Sequence, residues 1–253
     1  MLNELLPAGI FAFLLVFSRI GAAVMLIPGF GEAHVPPRVR LTIALGVALL
    51  ATPLVAPLLP APPASPLGLP VVLGHEIVIG LMIGVTARIM ISALHVAGTV
   101  IAFHSSLSTA QFFDPAQGQQ GALISSFLGL IGLILIFATN LHLVMLRATY
   151  ESYSLMPPSA SLPVEDAVQM VVGLVAGAFQ LGVQLAAPFI VYAMVYYIGL
   201  GLLQRLMPQI QLFFVGLPLQ ILMALFVLMV TITGIMMWFL DGFESQMANW
   251  LAR

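Results

Sequence analysis

Three charged residues lie inside otherwise apolar stretches of the sequence, and their side chains could carry chemistry. Arg19, Glu76 and Arg88 are each surrounded by long runs of hydrophobic residues. Charges of this kind are costly in lipid, so they usually face the protein interior, form pairs or line a water-filled cavity. They could therefore belong to a polar conduit or proton relay, or else form a structural ion pair or reach an interface. The sequence favours the structural interpretation, because proton-driven carriers usually contain more than one buried acid.

The positions of these charges argue against a simple pair between Arg19 and Glu76. If successive helices alternate in direction, Glu76 lies near one end of its stretch, whereas Arg19 lies about two-thirds of the way along its own from that side. The two side chains would then sit at different depths. The missing counter-charges could come from a partner chain.

No residue pattern in the chain predicts catalysis, metal binding or a cofactor. His75 and Glu76 begin like a zinc-protease helix, but Ile79 occupies the position of the second ligand. Ser125 and Ser126 lie in an apolar stretch, where a hydroxyl usually bonds to its own helix. The sequence contains no cysteine, no glycine-rich nucleotide loop and no Gly-x-Ser-x-Gly pattern. It therefore predicts a protein that is not an enzyme.

The composition excludes water as the main solvent and places the chain in lipid or in a large apolar assembly. Only 16 of its 253 residues are charged, whereas hydrophobic residues make up 61%. A soluble domain carries about 25% charged residues, because they cover its surface. The formal net charge of −2 also excludes a nucleic-acid-binding module, which requires a basic face.

The fold is predicted from six apolar stretches of the sequence. They are 5–27, 41–59, 71–103, 122–146, 171–203 and 212–240. In lipid a backbone satisfies its polar groups within its own helix, so we predict an all-α membrane protein with about six long helices. About 20 residues span the hydrocarbon core, so the longest stretches must project beyond it or pack within a larger assembly. Pro188 and Pro218 are expected to kink the last two stretches, because proline lacks a backbone donor.

Small and amide residues on these stretches are candidates for packing against other subunits. Glycines at i, i+4 let another helix approach closely, and glutamines at the same spacing share a face that seeks a partner across a helix interface. The residues are Gly80, Gly84, Gly173, Gly177, Gln180 and Gln184. Glycine is also common in membrane helices, so each glycine pair could equally be ordinary helix composition.

The connector 104–121 is polar, contains glycine and carries the adjacent pair Phe112 and Phe113. It could be a solvent loop whose rings dip into the membrane interface, or a contact with another protein. It could also turn back into a lumen, with the rings filling the hole and Gly118 and Gly121 as flexible ends. Irregular backbone at membrane depth is tolerated only where it is buried in protein or lines a cavity. These three interpretations stay open.

Several motifs resemble one family, that of FliR, a subunit of the type III protein export gate of bacterial flagella, with related subunits in virulence injectisomes. The most specific is GLLQRLMPQIQLFFVGLPLQI at 201–221, where an arginine and a Pro-Gln pair stand between two long apolar stretches. The other matching residues are Arg19, Pro28-Gly29-Phe30, 35–40, Asp114-Pro115, Asn140-Leu141-His142, Ser152-Tyr153 and Pro157. Together the motifs cover most of the chain in the order that the family has them.

The resemblance implies a fold that is built into a complex. In the family, a FliR subunit joins FliP and FliQ subunits in a helical, ring-like assembly. Residues 1–165 would be a FliP-like part that includes the connector, and residues 166–253 a FliQ-like helical hairpin with a C-terminal tail. The turn with Arg205, Pro208 and Gln209 would face the cytoplasm near an FlhB-like subunit. The complex would lie in the bacterial inner membrane, within the flagellar basal body and partly raised toward the periplasm.

The resemblance also implies a role for the connector. Residues 106–120 would form the family's plug, which occludes the central channel, with Phe112 and Phe113 as the fillers. The residues that shape its turn would be Asp114, Pro115 and Gly118.

The function that the resemblance implies is that of a non-enzymatic export gate subunit. It would complete a FliP/FliQ/FliR channel and plug it for the export of unfolded flagellar proteins. Its partners would be the other gate subunits, membrane lipid and the exported chains, with no cofactor and no nucleic acid. The alternatives are a small-solute or ion transporter, the equivalent subunit of a virulence type III secretion system, and a structural membrane scaffold without a lumen. The transporter would be favoured if Glu76 and Arg88 lined a substrate site.

Overall fold

The computed structural model describes residues 2–63, 65, 67–107, 122–158, 164–207 and 212–251 of the chain. These residues form eight α-helices and no strand, which confirms the prediction of an all-α protein. The helices are α1 (Leu2–Leu26), α2 (Pro37–Val55), α3 (Gly68–His104), α4 (Ala122–Ala138), α5 (Leu141–Leu155), α6 (Val164–Leu185), α7 (Ala187–Leu206) and α8 (Leu212–Leu251). A short 3-10 helix, Ala56–Leu58, follows α2.

Six of the described helices are long and apolar enough to cross a membrane, as predicted. The helices α4 and α5 are bent by 72° relative to each other and would count as a seventh span if taken together. The bend lies at Asn140, whose φ of 61° is in the left-handed region that asparagine tolerates better than most residues. The stretch predicted at 122–146 is therefore two helices.

The longest predicted stretches differ in continuity. The stretch 171–203 is interrupted at Ala186, and Pro188 lies in the first turn of α7, where its missing N–H breaks no helical hydrogen bond. By contrast, α3 has 37 residues, and α8 has 40 and continues through Pro218. A 37-residue helix is about 55 Å long at a rise of about 1.5 Å per residue. Such a helix exceeds the hydrocarbon core of about 30 Å.

The chain folds into two compact units, each built from separate stretches of sequence. The first comprises Met1–Ile89, Ile136–Leu174 and Phe243–Arg253, and the second comprises Met90–Leu135 and Val175–Gly242. The sequence resemblance predicts a boundary at residue 165 between a FliP-like part and a FliQ-like part. The two compact units do not test that prediction.

In the first unit, α1 packs against α2 and α5. Ile20 and Val24 of α1 are buried against Ala44 and Ala48 of α2, and Tyr153 of α5 belongs to the same apolar cluster. The two alanines lie one turn apart, so they let α1 and α2 approach closely.

The first unit also contains a close approach between α1 and α3. A Cβ atom at Gly80 would strike the backbone carbonyl oxygen of Arg19. A Cβ atom at Gly84 would lie 2.6 Å from the Cβ of Leu26 and 3.0 Å from the carbonyl oxygen of Ala23. The helix that approaches this glycine face is α1 of the same chain, and a contact of the two glycines with another subunit stays a prediction.

In the second unit, other glycines bring helices together. A Cβ atom at Gly98 of α3 would meet the backbone of Ser125 in α4. One at Gly182 of α6 would lie 2.7 Å from both the carbonyl oxygen of Ala93 and the Cβ of Val96. Sequence analysis did not single out these two glycines, because neither belongs to a Gly-x-x-x-Gly pair.

Candidate functional site

A buried ion pair joins α1 to α3 in the first unit. The Nε atom of Arg19 donates to Oε2 of Glu76 at 2.8 Å, and Nη2 donates to Oε1 at 2.9 Å. Both side chains are fully buried. A bidentate pair of this kind fixes the orientation of both groups as well as compensating their charges.

The same guanidinium group holds the C-terminal end of α5. Nη1 of Arg19 donates to Oγ of Ser152 at 3.0 Å, and Nη2 donates to the carbonyl oxygen of Met156 at 2.9 Å. Met156 caps α5, so this bond satisfies a carbonyl group that the helix leaves without an internal donor. The ring centroid of Tyr153 lies 3.9 Å from Cζ of Arg19, within the range of a cation–π contact. We call Arg19, Glu76, Ser152, Tyr153 and Met156 the arginine cluster.

The arginine cluster has the geometry of a structural centre. Arg19 donates hydrogen bonds to both carboxylate oxygens of Glu76. The hydroxyl group of Ser152 donates a hydrogen bond to the carbonyl oxygen of Thr149 at 2.6 Å. A proton relay would instead need a carboxylate that water or a substrate can reach. Removing one partner of a buried pair costs about 3–5 kcal/mol, because the other charge stays buried. The cluster is therefore suited to hold three helices in one arrangement.

Two polar groups at the cluster have buried nitrogen or oxygen atoms with no hydrogen-bond partner in the described part of the chain. They are the hydroxyl group of Tyr153 and the imidazole ring of His75. Nδ1 of His75 lies 3.8 Å from Oε1 of Glu76, which is too far for a hydrogen bond. Tyr153 is therefore held by the contacts of its ring.

The pairing of Arg19 with Glu76 corrects the expectation that they lie at different depths. Glu76 and Gly80 lie beside Arg19, whereas Gly84 lies beside Leu26, so α1 and α3 run in the same direction. Arg19 is the eighteenth residue of α1 and Glu76 is the ninth of α3. The start of α3 is therefore displaced along α1 by about 13 Å at about 1.5 Å per residue. Arg19 and Glu76 therefore lie at the same depth, because the starts of α1 and α3 do not lie at one level.

Arg88 shares α3 with Glu76 but has a different environment. Its side chain is exposed, and it forms no ion pair or hydrogen bond with any described residue. Of the three charges that the sequence singled out, two therefore form a pair and the third does not join them.

A second polar network lies in the second unit, at the C-terminal end of α3. Nε2 of Gln220 in α8 donates to the carbonyl oxygen of His104 at 2.9 Å and to the hydroxyl oxygen of Tyr197 in α7 at 3.1 Å. Gln220 is buried. The first of these bonds satisfies a carbonyl at the end of α3, where no following turn supplies a donor. Sequence analysis missed Gln220, although a glutamine inside a long apolar stretch signals a polar contact between helices.

Two tyrosines of α7 extend this network along α8. The hydroxyl of Tyr192 donates to the carbonyl oxygen of Gln220 at 2.9 Å, and that of Tyr196 donates to the carbonyl oxygen of Gly216 at 2.6 Å. Residue numbers rise along α7 as those of their partners fall along α8. The two helices are therefore antiparallel and form a hairpin, which we call the α7–α8 hairpin.

The connector 104–121 begins beside Gln220. Ser105 and Ser106 are both buried, and Oγ of Ser105 donates to the carbonyl oxygen of Ala102 at 3.1 Å. Ser106 has a φ of 58°, which is uncommon for a residue other than glycine. The backbone that leads into the connector is thus fixed by side-chain contacts.

The predicted packing residues on α6 have varied exposure. Gly173 is exposed, with open space where a Cβ atom would stand, and Gln180 is exposed as well. Gly177 and Gln184 are half-buried. Gln180 therefore presents an amide on the outside of an apolar helix, where lipid offers it no hydrogen bond.

Several predicted site residues lie outside the described part of the chain. They are Phe112, Phe113, Asp114, Pro115 and Gly118 of the predicted plug, and Pro208 and Gln209 of the predicted cytoplasmic turn. Arg205 of that turn is described, and its side chain is exposed near the end of α7. Among the described residues no group of three or more His, Asp or Glu side chains could hold a metal ion.

Comparison with known proteins finds similarity along nearly the whole chain. Residues 10–246 match the family described as "Bacterial export proteins, family 1". A protein of Caulobacter vibrioides named "Flagellar biosynthetic protein FliR" is 40% identical over 231 residues, covering 91% of this chain and 92% of its own. Proteins of the same name are 30% identical in Bacillus subtilis (88% of this chain, 87% of that one) and 28% identical in Escherichia coli (92% and 88%).

Proposed function

Since this chain belongs to family 1 of the bacterial export proteins and is a membrane-embedded component of flagellar protein export, we propose that it completes a channel built with FliP-like and FliQ-like subunits. In this role it catalyses no reaction and binds no nucleotide. It closes the ring of subunits and gates the passage of unfolded flagellar proteins through the inner membrane. The observation that carries the proposal is the match to proteins named FliR over nearly the whole chain.

The surface of the described helices supports a subunit of a larger complex. In the membrane-spanning window of α7 only 11% of the residues are buried within the chain, compared with 50% in that of α3. The exposed amide of Gln180 requires a hydrogen-bonding partner if it lies in lipid. We assign residues 166–253 to a FliQ-like hairpin and tail that pack against neighbouring subunits, and residues 1–165 to a FliP-like part.

The lengths of α3 and α8 support the proposed position in the cell. At 37 and 40 residues they exceed what a bilayer requires. Packing in an assembly that is partly raised toward the periplasm would accommodate the excess length. In the same arrangement, the turn with Arg205, Pro208 and Gln209 faces the cytoplasm and an FlhB-like subunit.

We assign the plug of this channel to residues 106–120, with Phe112 and Phe113 as its apolar fillers. Asp114, Pro115 and Gly118 would set the turn of the loop. The fixed backbone at its start supports the assignment, because Gln220 holds the carbonyl group of His104. A plug needs such an anchor to return to the same position after each exported chain.

The test of the function uses co-expression with the FliP-like and FliQ-like proteins of the same bacterium. We expect one defined complex that contains all three, and loss of flagellar export when the gene for this chain is deleted. A chain that is monodisperse alone and transports a small solute would instead establish a transporter. Restored export of virulence effectors, without flagella, would assign the chain to an injectisome.

The test of the plug replaces Phe112 and Phe113 with alanine in the assembled complex. Removing two aromatic rings from the channel should raise the leak of ions or small dyes through membrane vesicles at least about tenfold, since each ring fills roughly 150–250 Å² of contact surface. Phe127→Ala serves as the matched control, because Phe127 is an exposed phenylalanine on α4. A leak equal to that of the unmodified complex would refute the plug without affecting the proposed complex.

A further inference from the structure

Arg88 is a positive charge without compensation on an apolar helix. It is the twenty-first residue of the 37-residue helix α3, and its side chain is exposed. Glu76, the other ionised residue of α3, is already engaged by Arg19. Within the described part of the chain, Arg88 has no acidic partner.

The surface beside Arg88 is apolar and only partly covered by the chain itself. Ile77 and Leu81 lie eleven and seven residues before Arg88, so all three share one side of α3. The side chains of Ile77 and Leu81 are 42% and 39% exposed. We call these three residues the Arg88 stripe.

The Arg88 stripe lies next to the end of α1. The contacts of α1 with α3 run from Arg19 beside Glu76 to Leu26 beside Gly84, and α1 ends at Leu26. Arg88 follows Gly84 by one turn, so it lies just beyond the part of α3 that α1 covers.

We propose that the Arg88 stripe binds an apolar helix of a neighbouring subunit that presents an aspartate or glutamate to Arg88. This inference rests on the proposed function, because that function supplies the neighbouring subunits. The partner helix packs on Ile77 and Leu81 beside α1, and its carboxylate accepts hydrogen bonds from the Arg88 guanidinium group. The chain already uses the same chemistry once, in the bidentate pair of Arg19 with Glu76.

The position of Arg88 favours a protein carboxylate over a lipid phosphate. Arg88 lies about 24 Å from the C-terminal end of α3 and about 30 Å from its N-terminal end, at about 1.5 Å per residue. No other Asp, Glu, Lys or Arg follows it on this helix. An arginine amid so long an apolar segment is costly in lipid and is stabilised by an acid that desolvates together with it.

The occupant of the stripe can be identified by photo-crosslinking in the intact complex, in native membranes. A photoreactive phenylalanine replaces Leu81. As the control, the same photoreactive residue replaces Leu50, which is 75% exposed on α2. We expect the Leu81 probe to form an adduct with another export subunit, at a helix that contains an acidic residue. Adducts with lipid alone, or with a second copy of this chain, would overturn the proposal.

Charge substitution tests the ion pair itself. Arg88→Glu should lower the amount of co-purified partner by about 30-fold or more, because it places two carboxylates together in a desolvated contact. Arg88→Lys should retain most of the complex, and replacing the crosslinked acid with arginine should restore assembly of the Arg88→Glu variant. As the control, Arg147→Gln removes an exposed arginine that pairs with Glu151 on α5, and the yield should stay within about twofold.

The outcomes separate this inference from the function on which it depends. If the unmodified chain co-purifies with no other export subunit, the proposed function fails. If the unmodified chain and Arg88→Glu co-purify equally well, only the ion pair fails. If the effect of Arg88→Glu varies with the anionic lipid content of the membrane, the partner is a lipid phosphate and the proposal is overturned.

Discussion

The arginine cluster of the first unit and the α7–α8 hairpin of the second unit differ in the kind of polar groups that they bury. The cluster pairs charged groups, and the hairpin pairs neutral ones. In the cluster, a full positive charge and a full negative charge are removed from solvent and satisfied by three helices of the chain. In the hairpin, the polar bonds join neutral groups, namely tyrosine hydroxyls, backbone carbonyls and the side-chain amide of Gln220. Removing one partner from the cluster should therefore cost much free energy of unfolding, because a charge stays buried without its pair. Removing one hydrogen bond from the hairpin should cost little.

The two regions also differ in how much of their apolar surface the chain covers. Of the described residues of α7, only Phe189 and Ala193 are buried, whereas 44% of the spanning window of α1, a helix of the first unit, is buried. A helix with so little contact inside its own chain must complete its packing outside it, against lipid or other subunits. The first unit is thus organised as a core, and the hairpin as a surface for assembly.

The largest effect is expected when the arginine cluster loses its cation. Arg19→Met leaves the carboxylate of Glu76 buried and removes the donors to Ser152 and Met156, so the free energy of unfolding should fall by about 3–5 kcal/mol. The measurement is the thermal unfolding of the purified complex in detergent. Arg147→Met is the control, because that pair is exposed at the surface and should contribute about 1 kcal/mol or less.

A double variant decides whether the charge or the packing causes this loss. Arg19→Met combined with Glu76→Leu removes both charges, so it should be more stable than Arg19→Met alone. If the double variant were less stable than either single variant while export continued, the two residues would act through packing. A normal stability of Arg19→Met would show that the cluster is no more costly to break than the hairpin.

A smaller effect is expected at the glycine contact that brings Arg19 to Glu76. Gly80→Ala places a Cβ atom against the carbonyl oxygen of Arg19. Overpacking costs about 1–3 kcal/mol, and a contact with the backbone, which cannot rotate away, belongs to the upper part of that range. The cost is therefore larger than the gain of about 1 kcal/mol from replacing glycine by alanine within a helix. Thermal unfolding of the complex should therefore occur at a lower temperature.

Gly74→Ala is the matched control for that substitution. Gly74 lies on the same helix, but a Cβ atom there would meet nothing within 4 Å. Only the helix propensity then changes, so Gly74→Ala should be neutral or slightly stabilising. If both substitutions destabilised the complex equally, the close approach of α1 to α3 would not be the cause of the lower stability of Gly80→Ala.

Sequence reasoning recovered the membrane helices because hydropathy and length are properties of each stretch alone. It did not recover the break at Asn140, since the segment 122–146 contains no proline or charge that would mark it. It failed to pair Arg19 with Glu76, because the pairing depends on the displacement of α3 along α1. That displacement comes from packing across Gly80 and Gly84, which no single stretch encodes.

The candidate polar sites were recovered unevenly for the same reason. Arg19, Glu76 and Arg88 stood out because a charge is rare in an apolar stretch. Gln220 was passed over although it is buried, since a neutral amide gives a weaker signal than a charge. The tyrosines of α7 did not indicate a polar contact between helices, because tyrosine is also common at the membrane–water interface.

The smallest effect is expected in the α7–α8 hairpin. Tyr196→Phe removes the hydrogen bond to the carbonyl oxygen of Gly216 and keeps the aromatic ring. Such a neutral bond contributes about 0.5–1.5 kcal/mol, so thermal unfolding of the complex should shift by less than it does in Arg19→Met. Tyr150→Phe is the control, since Tyr150 is exposed on α5 and its hydroxyl has no hydrogen bond with a described residue. If Tyr196→Phe destabilised the complex as much as Arg19→Met, the hairpin would be a second structural centre, and the contrast between the two regions would be wrong.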